Sequence, residues 1–168
     1  MLEFKQLFKE YEDLSVLQRS SILTYKSVDI LAKLKKLDIE GIDPVNTLAS
    51  FIIGAVVADN RVNEQEYLLI YPSLVKTFGD NFDFDSIKES FKKDYKGNSM
   101  IKKYSKELIE ILSDVDESLQ LDIIILCLCV VSLDGKISLK ERRYIKQLCK
   151  IKEQKWFLIT QWDENPIF

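Results

Sequence analysis

One short segment of the chain combines the residue types and spacing of half a divalent-cation site. In "VSLDGKISLKERRYI" (131–145), Asp134, Gly135 and Glu141 stand at the fifth, sixth and twelfth positions of a calcium-binding EF-hand loop. The first two acidic ligands of such a loop are missing, because a valine and a serine occupy their positions. The segment therefore predicts either part of a cation site or a helix start that resembles one.

A second segment, "VVADNRVNEQEYLLI" (56–70), repeats this pattern 75 residues earlier in the chain. Asp59 corresponds to Asp134, and Glu66 corresponds to Glu141. Each copy follows an apolar segment and precedes an amphipathic one. The repeat predicts two helix–turn–helix units related by an internal two-fold.

The motifs "ADNRVNEQE" and "LDGKISLKE" resemble the paired A-D-G-x-[IV]-x-x-x-E motifs of the TerB-like family of tellurite-resistance-associated bacterial proteins. The resemblance covers residues 45–152 and departs from the family pattern at Asn60, which stands where the family has glycine. It implies an all-helical fold, divalent-cation binding through the motif acids, and a role in stress-response or membrane-associated complexes. It implies no enzymatic activity.

The motif acids have two interpretations. In the first they are structural: the aspartate closes the turn on backbone N–H groups, Asn63 or Ser138 caps the next helix, and the glutamate completes a capping box. In the second, internal symmetry brings the two turns together and the acids bind Ca²⁺ or Mg²⁺, since hard cations prefer oxygen ligands. The metal ligands predicted by this interpretation are Asp59, Glu66, Asp134 and Glu141.

Three functions follow from these interpretations. The first is a non-enzymatic stress-response protein that binds Ca²⁺ or Mg²⁺ through the paired motifs. The second is a protein-interaction or scaffold module whose motif acids only cap helices. The third is a metal-assisted hydrolase, which the sequence disfavours because no histidine, phosphate-binding loop or activated nucleophile accompanies the acids.

Composition and charge argue against several classes of function. The net charge of −3 argues against non-specific binding of nucleic acid, and the absence of histidine removes histidine-dependent nucleophilic catalysis and the usual zinc sites. The three cysteines lie in apolar or helical contexts and are expected to be buried as small hydrophobic residues. The charged N-terminus and the lack of a long apolar run predict a cytoplasmic protein without a transmembrane segment. We expect a protein partner, while peripheral membrane association stays open.

Only five glycines and three prolines interrupt the chain, which favours long helices and an all-α, single-domain helical bundle. Core helices are predicted near 44–58 and 118–133, although "IIILCLCVV" alone is also typical of a buried strand. We expect an N-terminal helical extension (1–40), a TerB-like helical domain (41–155) and a C-terminal tail (156–168) packed on the domain. The aromatic tail also has an interpretation as a partner-binding anchor. Within 15–37, apolar residues at helical spacing predict one buried side: Leu17, Ile22, Leu23, Val28, Leu31, Leu34 and Leu37.

Overall fold

Local capping chemistry sets the helix boundaries in the part of the chain that the structure, a computed structural model, describes. That part comprises residues 2–38, 43–56 and 110–149, together with residues 40, 58, 68, 71, 72, 75, 76, 79 and 106. It contains helices α1 (Leu2–Asp13), α2 (Val16–Leu37), α3 (Pro44–Val56), α4 (Glu117–Val131) and α5 (Leu139–Cys149), and no strand. The predicted all-α class is confirmed for these residues.

A reciprocal capping box begins α2. The Gln18 N–H donates to Ser15 Oγ over 3.2 Å, and the Ser15 N–H donates to Gln18 Oε1 over 2.9 Å. Two backbone donors without helical partners are thereby satisfied at the helix start. The helix ends at Leu37, and Asp38 follows in the left-handed conformation at φ 42°.

Aspartates cap the starts of the two apolar helices. Asp43 Oδ1 accepts the Val45 N–H over 2.8 Å ahead of α3, with Pro44 in the first turn, where its missing N–H costs nothing. Asp116 Oδ1 accepts the Leu119 N–H over 3.0 Å ahead of α4. The apolar run "IIILCLCVV" lies within α4 and is helical, so its alternative interpretation as a strand is wrong.

The core is centred on α4, which packs against α1, α2, α3 and α5. From Leu119 to Val131 nearly every side chain of α4 is buried, and α3 lies beside it as predicted. An apolar helix buried on all sides needs such neighbours around its whole circumference. Among the described residues, the largest fully buried side chains are Tyr11, Phe8, Phe51, Leu23, Ile30, Leu48, Ile52, Leu112, Leu119 and Ile123.

The side of α2 that faces the core differs from the prediction. Ile22, Leu23 and Leu34 are buried as expected, but Leu17 and Val28 are exposed. Leu37, at the end of the helix, is exposed as well, and the predicted single buried side is therefore wrong for these three residues. Because apolar residues occur on opposite sides of α2, helical spacing alone could not tell which side faces the core.

Two parts of the sequence-based organisation stay predictions. The first acidic motif and the C-terminal residues 150–168 lie outside the described residues, so the internal repeat and the packing of the tail are not tested. The boundary at residue 40 is also untested, although α2 packs against both α3 and α4. Within the described residues, no helix is both long enough and apolar enough to cross a membrane.

Candidate functional site

The turn between α4 and α5 carries the described copy of the acidic motif. Asp134 Oδ1 accepts the Lys136 N–H over 2.8 Å, and the Gly135 N–H donates to the Ser132 carbonyl oxygen over 2.9 Å. Gly135 has φ 83°, a conformation that residues with a Cβ rarely adopt, and no atom lies within 4 Å of where a Cβ would stand. The glycine is therefore required by the backbone conformation and not by crowding.

Ser138 and Glu141 form a capping box at the start of α5. The Ser138 N–H donates to Glu141 Oε2 over 2.6 Å, and the Glu141 N–H donates to Ser138 Oγ over 3.3 Å. Glu141 is buried, and its carboxylate is hydrogen-bonded to the backbone of its own helix start. The capping geometry predicted for this motif is thus present, whether or not an ion also binds.

The end of α1 is fastened to this turn by Glu12. Its Oε1 accepts the Ile137 N–H over 2.9 Å and a hydrogen bond from Arg142 Nη2, also over 2.9 Å. Arg142 additionally donates through Nε to the Ile137 carbonyl oxygen over 2.9 Å and lies over the Phe8 ring, 5.2 Å from its centroid. Residues 125 and 130 positions apart in the chain thus join α1 to the motif turn.

Arg19 also binds the end of α1. Its buried guanidinium donates to the Tyr11 carbonyl oxygen from Nε and Nη2, each over 3.1 Å, and to the Glu12 carbonyl oxygen over 2.6 Å. Burial lowers the pKa of Arg19, while the nearby Cys129, Asp134 and Glu12 side chains partly oppose that shift. The guanidinium stays protonated, so a fixed positive charge lies close to the motif turn.

The structure places two of the four predicted metal ligands and does not describe the others. Asp134 lies in the turn before α5 and Glu141 lies in the first turn of that helix, and each accepts a hydrogen bond from a backbone N–H group. Asp59 and Glu66 fall outside the described residues, so the convergence of four acids stays a prediction. Among the residues that are described, no group of three or more His, Cys, Asp or Glu side chains is arranged to hold a metal ion.

A second charged cluster, which sequence reasoning missed, joins α2 to α4. Asp122, with a side chain only 8% exposed, accepts hydrogen bonds from Lys26 Nζ over 2.5 Å and from Lys33 Nζ over 2.6 Å. Lys33 also pairs with Asp29 over 2.9 Å. The sequence does contain a sign of this cluster, a single acidic residue in the apolar segment "LDIIIL". A charge that is buried in such a segment requires partners.

These hydrogen bonds shift the pKa values of Asp122 and Lys33 in the directions that stabilise their charged forms. Burial alone would raise the pKa of Asp122, but hydrogen bonds from Lys26 and Lys33 outweigh it and lower the pKa. Burial opposes the charge on Lys33 too, yet its bonds to Asp122 and Asp29 raise the Lys33 pKa above its ordinary value. Near neutral pH, Asp122 is a poor base and Lys33 is a poor nucleophile.

The three cysteines are buried, unpaired thiols, as the sequence predicts. Burial raises the pKa of Cys127 to about 12, and that of Cys149 also to about 12. Burial likewise raises the pKa of Cys129. Because the thiolate is the nucleophile and the metal ligand, these thiols are suited to packing and not to chemistry at neutral pH.

The capping box makes a stability prediction at Ser138. We expect Ser138→Ala to lower the free energy of unfolding by about 0.5–2 kcal/mol, because the Glu141 N–H loses its acceptor. Urea denaturation measures this change. Ser118→Ala is the matched control, an exposed serine in the first turn of α4, where Asp116 is the cap. If both variants unfold at the parent's midpoint, the capping box contributes nothing to stability.

Comparison with known proteins adds no assignment to this geometry. No protein family, curated protein or solved structure matches the chain. The TerB-like resemblance therefore stays a prediction that rests on the two motifs alone.

Proposed function

We propose that the chain is a non-catalytic helical module that binds another protein through the exposed side of α2. The observation that carries this proposal is a row of uncharged side chains along that helix, which we call the α2 stripe. It consists of Leu17, Ser21, Tyr25, Val28 and Ala32, all exposed. Leu17 is 77% exposed, Tyr25 68% and Val28 50%.

The α2 stripe lies opposite the buried side of its helix. At 100° per residue, positions 17, 21, 25, 28 and 32 fall within one sector, and the buried Ile22, Leu23, Ile30 and Leu34 fall on the other side. Solvent-facing helix surfaces usually carry charges, but the α2 stripe has none over about four turns. A continuous uncharged row of large and small residues is typical of a helix surface that contacts another protein.

The chemistry of the described residues supports binding over catalysis. The thiols are buried, Asp122 is held by two lysines, and Glu141 caps α5. Each of these groups is already engaged in packing, ion pairing or helix capping. The motif turn then serves to start α5 and to hold α1, which keeps the helices around α4 in place.

Divalent-cation binding is a second candidate. One observation favours it: Asp134 is exposed and uses only Oδ1 for the Lys136 N–H, which leaves its other carboxylate oxygen able to reach an ion. Against it, the positive charges of Arg19 and Arg142 already lie near the turn, where they offset its carboxylates. An added cation would relieve less repulsion there than at four isolated acids.

Asp134→Asn tests the structural role of the motif acids. Asparagine keeps an oxygen that accepts the Lys136 N–H, so we expect the free energy of unfolding to change by less than about 0.5 kcal/mol. Thermal melting with and without added Ca²⁺ measures the effect. Asp134→Ala is the companion variant and should be less stable, because it removes the acceptor. A Ca²⁺-dependent rise in the parent's melting temperature that Asp134→Asn abolishes would instead support the second candidate, cation binding at the motif acids.

A further inference from the structure

We infer that the partner of the α2 stripe is a second copy of this chain, bound with the two α2 helices antiparallel across a two-fold axis. This inference rests on the proposed function, because it names the protein that binds. It follows from two independent properties of α2, the order of large and small side chains along the stripe and the distribution of charge at the helix ends.

The α2 stripe is complementary to itself when one copy is reversed. With an axis between positions 24 and 25, Leu17 faces Ala32 of the partner subunit, and Val28 faces Ser21 of the partner subunit. Leu17 and Val28 then each lie opposite a small side chain, which lets the two helices approach closely. Tyr25 lies beside the axis, next to Tyr25 of the partner subunit. A two-fold contact requires this kind of self-complementary surface.

Parallel pairing in register would not be complementary in side-chain size. With the two helices in the same direction and in register, Leu17 would face Leu17 of the partner subunit, and Ala32 would face Ala32 of the partner subunit. Large residues would then crowd at one level and small residues would leave a gap at another. The order of side chains in α2 therefore favours the antiparallel arrangement.

Charge at the ends of α2 selects the same arrangement. Lys35 and Lys36 are exposed in its last turn, and Asp13 is exposed just before its start. Antiparallel pairing brings the lysines of each copy to the end of the helix where the partner subunit's Asp13 lies. Parallel pairing would instead place four lysines together. Electrostatic complementarity of this kind fixes orientation more than affinity.

The size of the α2 stripe predicts a weak dimer. Positions 17–32 span about 22 Å of helix, which is a small contact beside the roughly 800 Å² that each partner buries in a standard interface. We therefore expect a dissociation constant on the order of 10⁻⁵ M, typical of a contact that forms and separates readily.

Sedimentation velocity across protein concentrations from about 1 to 300 µM tests the inference, since this range brackets the expected dissociation constant. The apparent mass of the parent should rise towards twice that of one chain as the protein concentration increases. Leu17→Lys should weaken association at least tenfold, because it places a charge opposite Ala32 of the partner subunit. Leu139→Lys is the matched control: this leucine is 73% exposed, lies on α5 and should associate like the parent.

Disulfide trapping tests the register independently. Tyr25→Cys should form a covalent dimer on mild oxidation, since position 25 lies beside the axis and the native cysteines are buried. Leu139→Cys should not form one at the same concentration. Leu17→Cys separates the two arrangements, because position 17 meets its own copy only when the helices are parallel and in register. A covalent dimer from Tyr25→Cys but not from Leu17→Cys or Leu139→Cys supports the antiparallel register, and a covalent dimer from Leu17→Cys contradicts it.

Two results would overturn the inference. One is a parent that stays monomeric throughout the concentration range. The other is a Leu17→Lys variant that melts well below the parent as a monomer, which indicates that Leu17 packs within its own chain and that the α2 stripe is not a free surface. The two results are distinguishable in what they overturn. A monomeric parent rules out the second copy as partner but leaves the α2 stripe as a binding surface, whereas an unstable monomeric Leu17→Lys variant overturns the proposed function as well.

Discussion

Asp122→Ala should destabilise the fold by about 3–5 kcal/mol, the largest loss that we expect from removing a single charge. The expected loss arises because Lys26 and Lys33 would keep their positive charges at the contact between α2 and α4 without the carboxylate that accepts their hydrogen bonds. Lys26 is the more affected of the two, with a side chain only 15% exposed. Denaturant unfolding monitored by circular dichroism measures the change.

Asp114→Ala is the matched control for this experiment, since Asp114 is an exposed aspartate shortly before α4. It should unfold close to the parent. A second control replaces the ion cluster as a unit: Asp122→Leu with Lys26→Met and Lys33→Met should recover most of the lost stability, because no buried charge is left without a partner. Equal destabilisation by the single and triple variants would contradict this explanation.

The same cluster predicts how stability depends on pH. The folded pKa of Asp122 lies below its unfolded value, so its contribution is present above about pH 4 and is lost as pH falls through the folded pKa. The folded pKa of Lys33 lies above its unfolded value, so its contribution is present below about pH 10 and is lost as pH rises further. Asp122→Asn should therefore show a weaker acid dependence than the parent.

Arg19→Leu should have the second large effect, a loss of about 3 kcal/mol together with release of α1 from the helix bundle. The guanidinium donates three hydrogen bonds to two carbonyl oxygens at the end of α1, and charged donors contribute about 1.5–3 kcal/mol where a buried acceptor depends on them. Since Glu12 also joins α1 to the motif turn, that contact should loosen in the same variant.

Amide hydrogen exchange shows where stability is lost. In Arg19→Leu, exchange should accelerate at least tenfold in α1, with a smaller change in α3. Arg143→Leu is the matched control, an exposed arginine on α5 whose replacement should leave α1 protected. If α1 keeps the parent's protection in Arg19→Leu, the buried guanidinium does not hold that helix.

Local chemistry could be predicted from the sequence because it depends on residues close together in the chain. The Ser138–Glu141 capping box and the Asp134 turn each involve neighbours two or three positions apart. Such bonds need only the right side chain at the right offset. The helical state of the apolar run in α4 was predicted on different grounds, its similarity to the copy of the repeat 75 residues earlier in the chain.

Contacts between distant segments could not be predicted in this way. Glu12 and Arg142 are 130 positions apart, and Asp122 meets lysines 89 and 96 positions earlier in the chain. The sequence contains the buried acid but does not say which lysines approach it. The error at Leu17 and Val28 has a related cause, because an exposed apolar row for a partner and a buried apolar row for the core have the same helical spacing.

Titration of the parent protein with Ca²⁺ in a calorimeter most directly tests whether the motif acids serve the fold or bind an ion. We expect no saturable heat up to millimolar Ca²⁺ and an unchanged melting temperature, because Glu141 and Asp134 already bind backbone N–H groups and arginine charges lie beside the turn. The contradictory result is a saturable heat that both Asp134→Asn and Glu66→Gln weaken, with effects that do not add. Those two changes would then affect one ion, and the four predicted acids would form a metal site.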